Sequence, residues 1–545
     1  MKQLTIKKLW VLITIGFSFI FSTIPCQSRA ARYQLHIVYC SLHIVSYLYR
    51  MTHNIHVTSE VGRLKRLLIH SPDAGIGKIV PRIKDQLLYD DIVYLEKMQQ
   101  EYSEYLRVLL CFLDPEKIQG KANDTDYQDA VQSNRFDSDN VLGVEQMLAR
   151  ILRHEDIKYL LVPSVCALEK CGLRVQKQLL GMTPETLALV LITGILKNED
   201  GQEIILFPPI PNLIFTRDIG ITVHDHILLS KPYENARDRE ALIFKYIAHF
   251  ELLRQKTSQE ADELAHQVIE LQEPNLFYIS SEEETQQKVV TIEGGDVMMI
   301  SPGHLLVGLS ERTSLAAVEQ LVEKLFQRNL IQKISVVKIP RRRAYMHIDT
   351  VFTQVKRDTW IVFSPFTKEE INRNRGFNVA GAINNQEQPR ITYDVEVIQF
   401  IRQAEADQSY SILTNRMDYL DDLLNQISRE DFGATRCEII PSAGGEFPYS
   451  EREQWTDACN FLAVREGVII GYDRNIKTEE EFRKRGFAVM RSAEIIEQVE
   501  QGKPIDEIVT GDTLILLPSG ELSRARGGTH CMSMPLLRDD LDILV

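Results

Sequence analysis

The sequence predicts an α/β fold with a helical unit set into its first half. Two observations predict this class. From about residue 200 onward, short apolar runs typical of strands alternate with stretches whose apolar residues recur at helical spacing. Residues 90–200, by contrast, show almost only the helical spacing. We therefore expect sheets covered by helices, together with a segment built from helices alone.

The composition is that of an ordinary globular chain. Its 545 residues are 44% hydrophobic and 25% charged, which allows one large domain with an insertion or two to four smaller domains. The net charge of −14 repels phosphate backbones, so nucleic-acid binding is not expected. The eight cysteines are too few for a disulfide framework and form no zinc pattern, which favours free thiols in a reducing compartment.

The N-terminus carries a signal-like segment. Residues 9–25 are apolar and follow Lys7 and Lys8, although the run is short for a membrane-spanning helix. Met51 then opens a stretch typical of the start of a soluble domain. We hypothesise that translation begins at Met51, that residues 1–50 are a misassigned extension, and that the protein is cytoplasmic without a membrane partner. A genuine signal would make it exported or membrane-tethered, and a native peptide from residues 27–50 in N-terminal sequencing would contradict the hypothesis.

The first half beyond Met51 begins with strands and continues as helices. Residues 55–70 predict two strands joined by a turn, and residues 90–113 predict an amphipathic helix. Residues 114–139 are rich in Asp, Asn and Gln and predict a long loop. The other helical predictions in this half are 141–153, 157–181 and 183–197.

Beyond residue 200 the predicted strands and helices alternate, without a repeat of fixed period. The predicted strands are 203–208, 220–229, 288–292, 297–300, 304–309, 334–339, 359–364, 394–399, 437–441, 462–471 and 513–517. The predicted helices are 237–256, 260–272, 313–328, 415–428 and 478–490.

Four short segments carry residues suited to chemistry. Residues 211–218 follow an apolar run and end in an Arg-Asp pair, and residues 292–296 place two acids around a Gly-Gly turn. Residues 346–352 predict a strand in which His347 and Asp349 share one face. Each segment also has an ordinary structural explanation: a surface salt bridge, a turn with exposed acids, and a structural histidine.

The fourth segment, residues 524–531, is a Gly-Gly loop that ends in Cys531, and a buried inert cysteine is its ordinary explanation. Together, however, the four segments supply a thiol, an imidazole and several carboxylates. Carboxylates bind a planar guanidinium in paired hydrogen bonds, and a thiolate attacks its electrophilic carbon. A metal site built from His347, Asp349, Asp218 and Glu293 is the rival interpretation, but it leaves Cys531 unexplained.

In this order, the four segments resemble the arginine deiminase family, which is marked by N-x-x-F-T-R-D, E-G-G-D, M-H-x-D-T and R-G-G-x-H-C-M. The resemblance runs from about residue 51 to the C-terminus. It implies a pentein-type α/β propeller, in which five pseudo-symmetric ββαβ units surround the active site. The catalytic domain would span residues 51–545, with a helical bundle inserted at 90–200. The loop at 114–139 and the acidic stretch at 280–287 depart from the family pattern and look like insertions. Further similar stretches are residues 59–62, 88–92, 310–313, 452–455 and 472–475.

The resemblance implies five catalytic residues. Cys531 resembles the nucleophile and His347 the general acid and base. Glu293 resembles the carboxylate that orients His347 and holds its proton. Asp218 and Asp349 resemble the pair that clamps the guanidinium group.

It also implies five substrate-binding residues. Asn212, Arg237, Arg312 and Arg526 match positions that contact or enclose the α-carboxylate end of the substrate. Asp296 either contacts the polar end of the substrate or supports its own loop.

The function that the resemblance implies is hydrolysis of the guanidinium group of L-arginine to L-citrulline and ammonia through a covalent thiouronium on Cys531. Water is the second substrate, no metal or organic cofactor is expected, and a homo-oligomer is expected. One alternative is an amidinotransferase, or a deiminase that acts on another guanidino compound such as agmatine. Agmatine lacks the carboxylate and would leave buried arginines unpaired, which favours arginine. An alternative of another class is a non-catalytic arginine-binding protein.

Overall fold

The computed structural model describes residues 55–198, 200–253, 267–272, 289–373, 395–405 and 409–542. The predicted extension at residues 1–50 and the acidic stretch at 280–287 lie outside the described residues. Within the described part of the chain, no helix has both the length and the apolar character needed to cross a membrane.

Helices and strands alternate through the described residues, so the predicted α/β class is confirmed. The helices are α1 (Leu95–Leu113), α2 (Thr125–Ser133), α3 (Val144–Ile151), α4 (Glu155–Leu168), α5 (Leu173–Leu180), α6 (Pro184–Thr193), α7 (Asp238–Ile247), α8 (Leu315–Gln327), α9 (Leu420–Glu430), α10 (Tyr449–Trp455), α11 (Ile476–Lys484), α12 (Ser492–Glu500) and α13 (Ile505–Ile508). The strands of the first half are β1 (Leu64–Ile69), β2 (Val141–Gly143), β3 (Ile195–Lys197), β4 (Glu203–Ile205), β5 (Gly220–Val223), β6 (His226–Leu229) and β7 (Val268–Ile269). Those of the second half are β8 (Val297–Ser301), β9 (His304–Leu309), β10 (Lys333–Lys338), β11 (Phe352–Lys356), β12 (Thr359–Val362), β13 (Glu396–Ala404), β14 (Tyr410–Met417), β15 (Glu438–Pro441), β16 (Leu462–Arg465), β17 (Val468–Tyr472), β18 (Ala488–Arg491), β19 (Thr513–Leu517) and β20 (Met534–Arg538).

Five sheets share one pattern of strand pairing. In each, a central strand pairs antiparallel with one neighbour and parallel with the other, and the connection to the parallel neighbour contains a helix. A parallel pair requires such a crossover, whereas an antiparallel pair needs only a short turn. The five sets, written from the antiparallel strand through the central strand to the parallel strand, are β20-β1-β2, β5-β6-β7, β8-β9-β10, β11-β12-β15 and β16-β17-β19.

The C-terminal strand returns to the first sheet. β20 pairs antiparallel with β1, so strands from the two ends of the described chain lie side by side. The buried guanidinium of Arg538 at the end of β20 donates to the carbonyls of Gly62 (2.7 Å) and Ala463 (2.8 Å), which ties this strand to two other segments. Because Cys531 lies three residues before β20, this pairing fixes the position of the predicted nucleophile.

The helices predicted at 90–200 divide between two hydrophobic cores. Side chains of α1, including Tyr105 and Leu109, share a core with the sheet that contains β16 to β19. Helices α3 to α6 share a separate core with β6 and α7. α1 therefore belongs to the crossover between β1 and β2, whereas α3 to α6 follow that first sheet.

The predicted loop at 114–139 contains helix α2, so this prediction is wrong. The Asp124 side chain accepts a hydrogen bond from the Tyr127 amide and caps the start of α2, and Asn134 ends it in the left-handed conformation with φ of 52°. Tyr127 is buried, and its hydroxyl donates to Glu500 (2.5 Å). The helix is stabilised by this tertiary contact, which the polar composition does not reveal.

Several other predicted helices overlap strands or divide. Residues 268–269 form β7 instead of the end of a helix at 260–272, and the first residues of the predicted helix at 415–428 belong to β14. The end of the predicted helix at 478–490 belongs to β18, and the predicted helix at 157–181 divides into α4 and α5. In the first three cases, pairing with a neighbouring strand overrides the local helical spacing.

Candidate active site

The four predicted segments meet at one small buried cavity. It encloses about 30 Å³, and eight of the ten predicted site residues line it: Asn212, Asp218, Arg237, Glu293, Arg312, His347, Arg526 and Cys531. The other two do not line the cavity but lie next to residues that do. Asp349 contacts Sγ of Cys531 (3.4 Å), and Asp296 accepts from the amide of Ile348, the residue after His347 (3.0 Å).

A larger cleft of about 630 Å³ lies between β1, α2 and α3, but it holds none of these residues. The arginines that line it are each paired with a carboxylate, Arg135 with Glu145 and Arg153 with Glu185 among them. Glu293, His347 and Cys531, whose pKa values are all shifted, line the smaller cavity, which we therefore take as the candidate active site.

The site residues occupy equivalent turns of the repeating sheets. Asp218, Asp296, Asp349 and Cys531 lie one to three residues before β5, β8, β11 and β20 respectively, and each of these is the antiparallel strand of its sheet. Three of these turns are single 3-10 turns, at Thr216–Ile219, Gly294–Asp296 and Ile348–Thr350. The fold thus brings together one turn from each of four sheets.

The predicted strand at 346–352 is wrong at its functional positions. His347 is extended, but Ile348–Thr350 form a 3-10 turn in which the Thr350 hydroxyl donates to the His347 carbonyl (2.7 Å). The side chains of His347 and Asp349 consequently contact different partners. His347 meets Glu293, and Asp349 meets His530 and Cys531.

His347 lies among carboxylates. Its Nε2 is 3.0 Å from Oε2 of Glu293, and its Nδ1 is 3.7 Å from Oδ1 of Asp218. Burial alone disfavours the imidazolium, but the charges of Asp218 and Asp296 and the hydrogen bond to Glu293 outweigh it and raise the pKa of His347 to about 10. The pKa of Glu293, the partner of His347, shifts in the opposite direction. Burial would raise it, but the hydrogen bond from His347 and the charge of Arg237 lower it. His347 is therefore protonated at neutral pH.

The glycines of the E-G-G-D segment allow this approach. A Cβ on Gly295 would lie 2.5 Å from Nδ1 of His347, and one on Gly294 would lie 1.8 Å from the Arg217 carbonyl oxygen. Both distances are too short for any side chain, so the two glycines are required by the packing of the site.

Cys531 is a buried thiol with acidic neighbours. Its Sγ donates to Oδ2 of Asp349 (3.4 Å). Burial, together with the charges of Asp349, Asp218 and Asp457, raises the pKa of the Cys531 thiol well above its usual value. The thiol is therefore neutral when no cation is nearby, and a cationic ligand placed among these carboxylates would favour the thiolate.

Arg237 contacts the acids of the cavity. Its Nη1 donates to Asp218 (2.7 Å) and lies 3.5 Å from Glu293, and its Nε donates to Glu240 (2.9 Å). Although burial opposes it, the charges of Glu240 and Asp218 raise the pKa of Arg237. Asp218 therefore already accepts one guanidinium from within the protein.

The other predicted substrate-binding residues at the cavity wall are Arg312, Asn212 and Arg526. Nε and Nη1 of the buried Arg312 make no hydrogen bond among the described residues, although Glu311 lies 3.7 Å from Nε and Glu234 lies 3.4 Å from Nη1. Asn212 donates from Nδ2 to the Leu87 carbonyl (2.8 Å). The guanidinium carbon of Arg526 lies 3.5 Å from the centre of the Trp455 ring. An arginine at a cavity wall whose donors make no hydrogen bond is suited to a carboxylate ligand.

Asp296 is engaged within the protein. One oxygen accepts from the Ser310 hydroxyl (2.5 Å) and the other from the Ile348 amide (3.0 Å). Burial raises the pKa of its carboxyl to about 6. Of the two roles expected for Asp296, these contacts correspond to support of the loop.

A buried ionic chain behind the cavity was missed. His530 links two carboxylates, with Nδ1 2.9 Å from Asp349 and Nε2 3.3 Å from Glu60, and Glu60 accepts two hydrogen bonds from Arg217, both of 3.2 Å. Arg217, for which a surface salt bridge was the ordinary explanation, is 2% exposed. These residues could have been considered as candidates, because Glu60, Arg217 and His530 all lie in segments on which the family resemblance rests.

Two further residues, one in contact with Cys531 and one at the cavity wall, were not predicted as site residues. Asn460 contacts Cys531 directly, with Nδ2 3.2 Å from Sγ. Arg343 lines the cavity, and its Nε lies 3.4 Å from Oδ1 of Asp90. Asn460 is five residues beyond the similar stretch at 452–455, but nothing local distinguishes it from an ordinary polar residue.

Ligand atoms of Asp218, Glu293 and His347 lie within 4.8 Å of one another, so this group could hold a metal ion. Two carboxylates and an imidazole suit a divalent cation. The guanidinium of Arg237, however, already lies 2.7 Å from Asp218 and 3.5 Å from Glu293. A metal ion, like any cationic ligand of Asp218, would have to share the carboxylate with this arginine or displace it, but a metal ion would also leave Cys531 without a role.

Known sequences that are similar to this chain include arginine deiminases. A family model described as arginine deiminase matches residues 85–538. An arginine deiminase of Bacillus cereus (strain ATCC 10987 / NRS 248) is 28% identical over 506 residues, which cover 90% of this chain and 100% of the relative. An arginine deiminase of Borreliella afzelii (strain PKo) is 28% identical over 490 residues, covering 89% of this chain and 98% of the relative.

Two solved structures align with most of the chain at low identity. SxtG, an amidinotransferase from Microseira wollei in the saxitoxin biosynthetic pathway, covers 90% of this chain and 98% of its own, with 10% identity and a TM-score of 0.42. The agmatine deiminase of C. jejuni covers 89% of this chain and 97% of its own, with 11% identity and a TM-score of 0.36.

Proposed function

This chain belongs to the arginine deiminase family, and on that premise we propose that it hydrolyses the guanidinium group of L-arginine to L-citrulline and ammonia. One observation carries the proposal beyond family membership. The Cys531 thiol lies 3.4 Å from Asp349 at a cavity that also holds Asp218, Glu293 and a protonated His347. This set supplies a nucleophile, a general acid and carboxylates for a guanidinium in one place.

We propose that Asp218 and Asp349 bind the guanidinium group of the substrate. The cation offsets the negative charges that hold the Cys531 thiol neutral, so its arrival favours the thiolate and the thiol proton leaves to solvent. Glu293 holds His347 in its protonated form, 3.0 Å away. Substrate binding thus creates the reactive ion pair of thiolate and imidazolium.

In the first chemical step, the thiolate lone pair forms a bond to the guanidinium carbon, and a C=N electron pair moves to nitrogen. The imidazolium of His347 then gives its proton to a terminal nitrogen, the C–N bond breaks, and ammonia leaves. A thiouronium on Cys531 and a neutral His347 remain. His347 thus acts first as the imidazolium acid and is then available as the neutral base.

In the second step, neutral His347 takes a proton from water, and the hydroxide attacks the thiouronium carbon. The S–C bond breaks with its electron pair returning to sulfur, and the protonated C=O group that forms gives its proton to solvent, which leaves citrulline. His347 is again imidazolium. No metal or organic cofactor enters these steps.

The other end of the substrate is assigned to the cationic side of the cavity. We propose that Asn212, Arg237, Arg312 and Arg526 contact or enclose the α-carboxylate. Nε and Nη1 of Arg312, which make no hydrogen bond within the described residues, support this assignment. A cavity of about 30 Å³ has to widen before arginine enters, because it has room for little more than one water molecule.

We further propose the pentein-type architecture for residues 51–545, with a helical insertion within residues 90–200 and assembly into a homo-oligomer. The shared strand pattern of the five sheets supports five ββαβ units around the cavity. The separate core of α3 to α6 supports an insertion after the first unit.

The test is to incubate the purified protein with L-arginine, and separately with agmatine, and to measure citrulline and ammonia. Equal amounts of both products from arginine, with agmatine inert, are expected. No product from arginine would contradict the proposal, whereas amidino transfer to an added amine would favour the amidinotransferase. Arginine bound without turnover would favour the non-catalytic alternative.

A further inference from the structure

We propose that Asn460 is a further catalytic residue, which donates a hydrogen bond to the reacting sulfur of Cys531. This inference rests on the proposed function. Asn460 is fully buried, and its side chain makes two contacts with Cys531. Oδ1 accepts from the Cys531 amide (3.0 Å), and Nδ2 lies 3.2 Å from Sγ.

The hydrogen-bond network fixes which way the amide of Asn460 faces. Nδ2 also donates to the carbonyl oxygen of Asp349 (3.0 Å), so its two hydrogens are directed to Asp349 and to Sγ. If the amide were reversed, its oxygen would face the Asp349 carbonyl and its NH2 group would face the Cys531 N–H. Both contacts would be repulsive, so Asn460 can act only as a donor toward the sulfur.

The position of Asn460 in the fold supports a catalytic role. It lies two residues before β16, in the turn equivalent to those that carry Asp218, Asp296, Asp349 and Cys531 in the other sheets. The sheet that contains β16 is the one whose turn has no role in the reaction described so far. Asn460 thus brings a polar side chain from the fifth of these equivalent turns into contact with Cys531.

The Gly-Gly loop is shaped around Asn460. A Cβ on Gly528 would lie 2.6 Å from both the carbonyl oxygen and Oδ1 of Asn460. No other residue could therefore stand at 528 without displacing the loop or the amide. The Thr529 hydroxyl also lies 3.4 Å from the Asn460 carbonyl oxygen, while it donates at 2.6 Å to the Ile470 carbonyl. The second glycine of the R-G-G segment is explained by this close approach.

The charges around the sulfur define what the contact does. Asp349, Asp218 and Asp457 all disfavour a negative charge on Cys531. The amide of Asn460 is a neutral donor directed at that sulfur, and a donor favours the thiolate over the thiol. The same bond is available when sulfur attacks carbon and again when the S–C bond breaks and the electron pair returns to sulfur. It also holds Sγ on the side of Asp349.

The experiment compares Asn460→Ala and Asn460→Asp with wild type. The rate at which iodoacetamide alkylates Cys531 is measured against pH from its peptide by mass spectrometry, and arginine turnover is measured in parallel. We expect the alkylation midpoint to move to higher pH in both variants, further in Asn460→Asp because a carboxylate replaces the donor. We expect kcat to fall about 100-fold in Asn460→Ala, with KM changed less than about threefold.

Asn475→Ala is the matched control. Asn475 is also a buried amide with two contacts, to the Thr456 carbonyl (3.0 Å) and hydroxyl (2.6 Å), but it does not contact Cys531. Its alkylation midpoint should equal that of wild type. Melting curves identify variants that have not folded, and either Asn460 variant that melts like wild type is sufficient for the test.

An unshifted alkylation midpoint in a folded Asn460 variant would overturn the proposal, as would a kcat within about threefold of wild type in Asn460→Ala. The alkylation requires no substrate. It therefore tests Asn460 even if the wild-type protein does not turn over arginine, which would contradict the proposed function alone.

Discussion

The carboxylate of Asp349 accepts a hydrogen bond from the Cys531 thiol at 3.4 Å, although the two residues are 182 positions apart. The same oxygen lies 2.9 Å from Nδ1 of His530. His530, which also contacts Glu60, therefore helps to hold Asp349 against Cys531. The contact explains why the thiol stays neutral without substrate, since a carboxylate disfavours a thiolate beside it.

The proposed mechanism is tested most directly at Cys531, the proposed nucleophile, and at His347. Cys531→Ser should lower kcat by several orders of magnitude, because a hydroxyl beside three acids is a far weaker nucleophile than a thiolate. His347→Ala should have a comparable effect through loss of the general acid. Turnover is measured as citrulline formed, and circular dichroism checks that the fold is retained. A rate within a few-fold of wild type for either variant would remove that residue from the mechanism.

The glycine beside the imidazole provides a steric test. Gly295→Ala should reduce kcat strongly, because its Cβ would lie 2.5 Å from Nδ1 of His347 and displace the ring. Gly303→Ala is the matched control, since its Cβ would meet Gln332 only at 3.8 Å. The control should retain wild-type turnover. Equal activity of the two variants would show that the position of His347 is not critical.

The pH profile should report the pair formed by His347 and Glu293. A neutral amide in Glu293→Gln removes a carboxylate that favours the imidazolium, so the pKa of His347 falls from its value of about 10. His347 then loses its proton at lower pH. The basic limb of the kcat profile, recorded with arginine from pH 6 to 10, should therefore move to lower pH. A basic limb that stays in place would assign it to another group.

The proposed contact between Arg312 and the α-carboxylate predicts that substrate recognition depends on this arginine. Arg312→Ala should raise KM for arginine by about 100-fold, because the α-carboxylate loses a charged hydrogen-bond partner. Any residual activity on agmatine should change little, since agmatine has no carboxylate. Steady-state kinetics with both compounds makes the comparison. An equal loss on the two substrates would place Arg312 outside the recognition of that carboxylate.

The ionic chain behind the cavity should matter for stability. Glu60→Gln leaves the 2% exposed Arg217 without its charged partner, which we expect to cost about 3–5 kcal/mol of unfolding free energy. The double variant Glu60→Gln/Arg217→Met should recover part of that loss. Glu185→Gln, which breaks the exposed pair with Arg153, should have no measurable effect. Denaturant unfolding compares the four proteins, and a wild-type midpoint for Glu60→Gln would contradict the expectation.

Much of the site was predictable because its residues stand in short segments of fixed spacing. Eight of the ten predicted residues line one cavity, although the segments are spread from Asn212 to Cys531. The glycines of the E-G-G-D segment also indicated close approach, and Gly295 does lie against His347. Such signals survive in a sequence because they are local requirements of backbone and side-chain size.

Local conformation was predicted less well where tertiary contacts decide it. The alternation around His347 suggested a strand, but Ile348–Thr350 form a 3-10 turn that lets the Ile348 amide bond to Asp296. Polar residues at 125–133 suggested a loop, but the burial of Tyr127 against the rest of the protein supports α2. In both cases, a distant partner stabilises a conformation that the local pattern does not favour.

By itself, the sequence determined the α/β class and the residue types that carry the chemistry: a thiol, an imidazole and several carboxylates in segments of recognisable spacing. Only the tertiary structure decided which of their atoms face one another. Glu293 meets His347 across 54 residues and Asn460 meets Cys531 across 71, each through turns that separate sheets bring together. The physical reason is that periodicity encodes the face of a strand or helix, whereas the meeting of turns depends on non-local strand pairing and core packing.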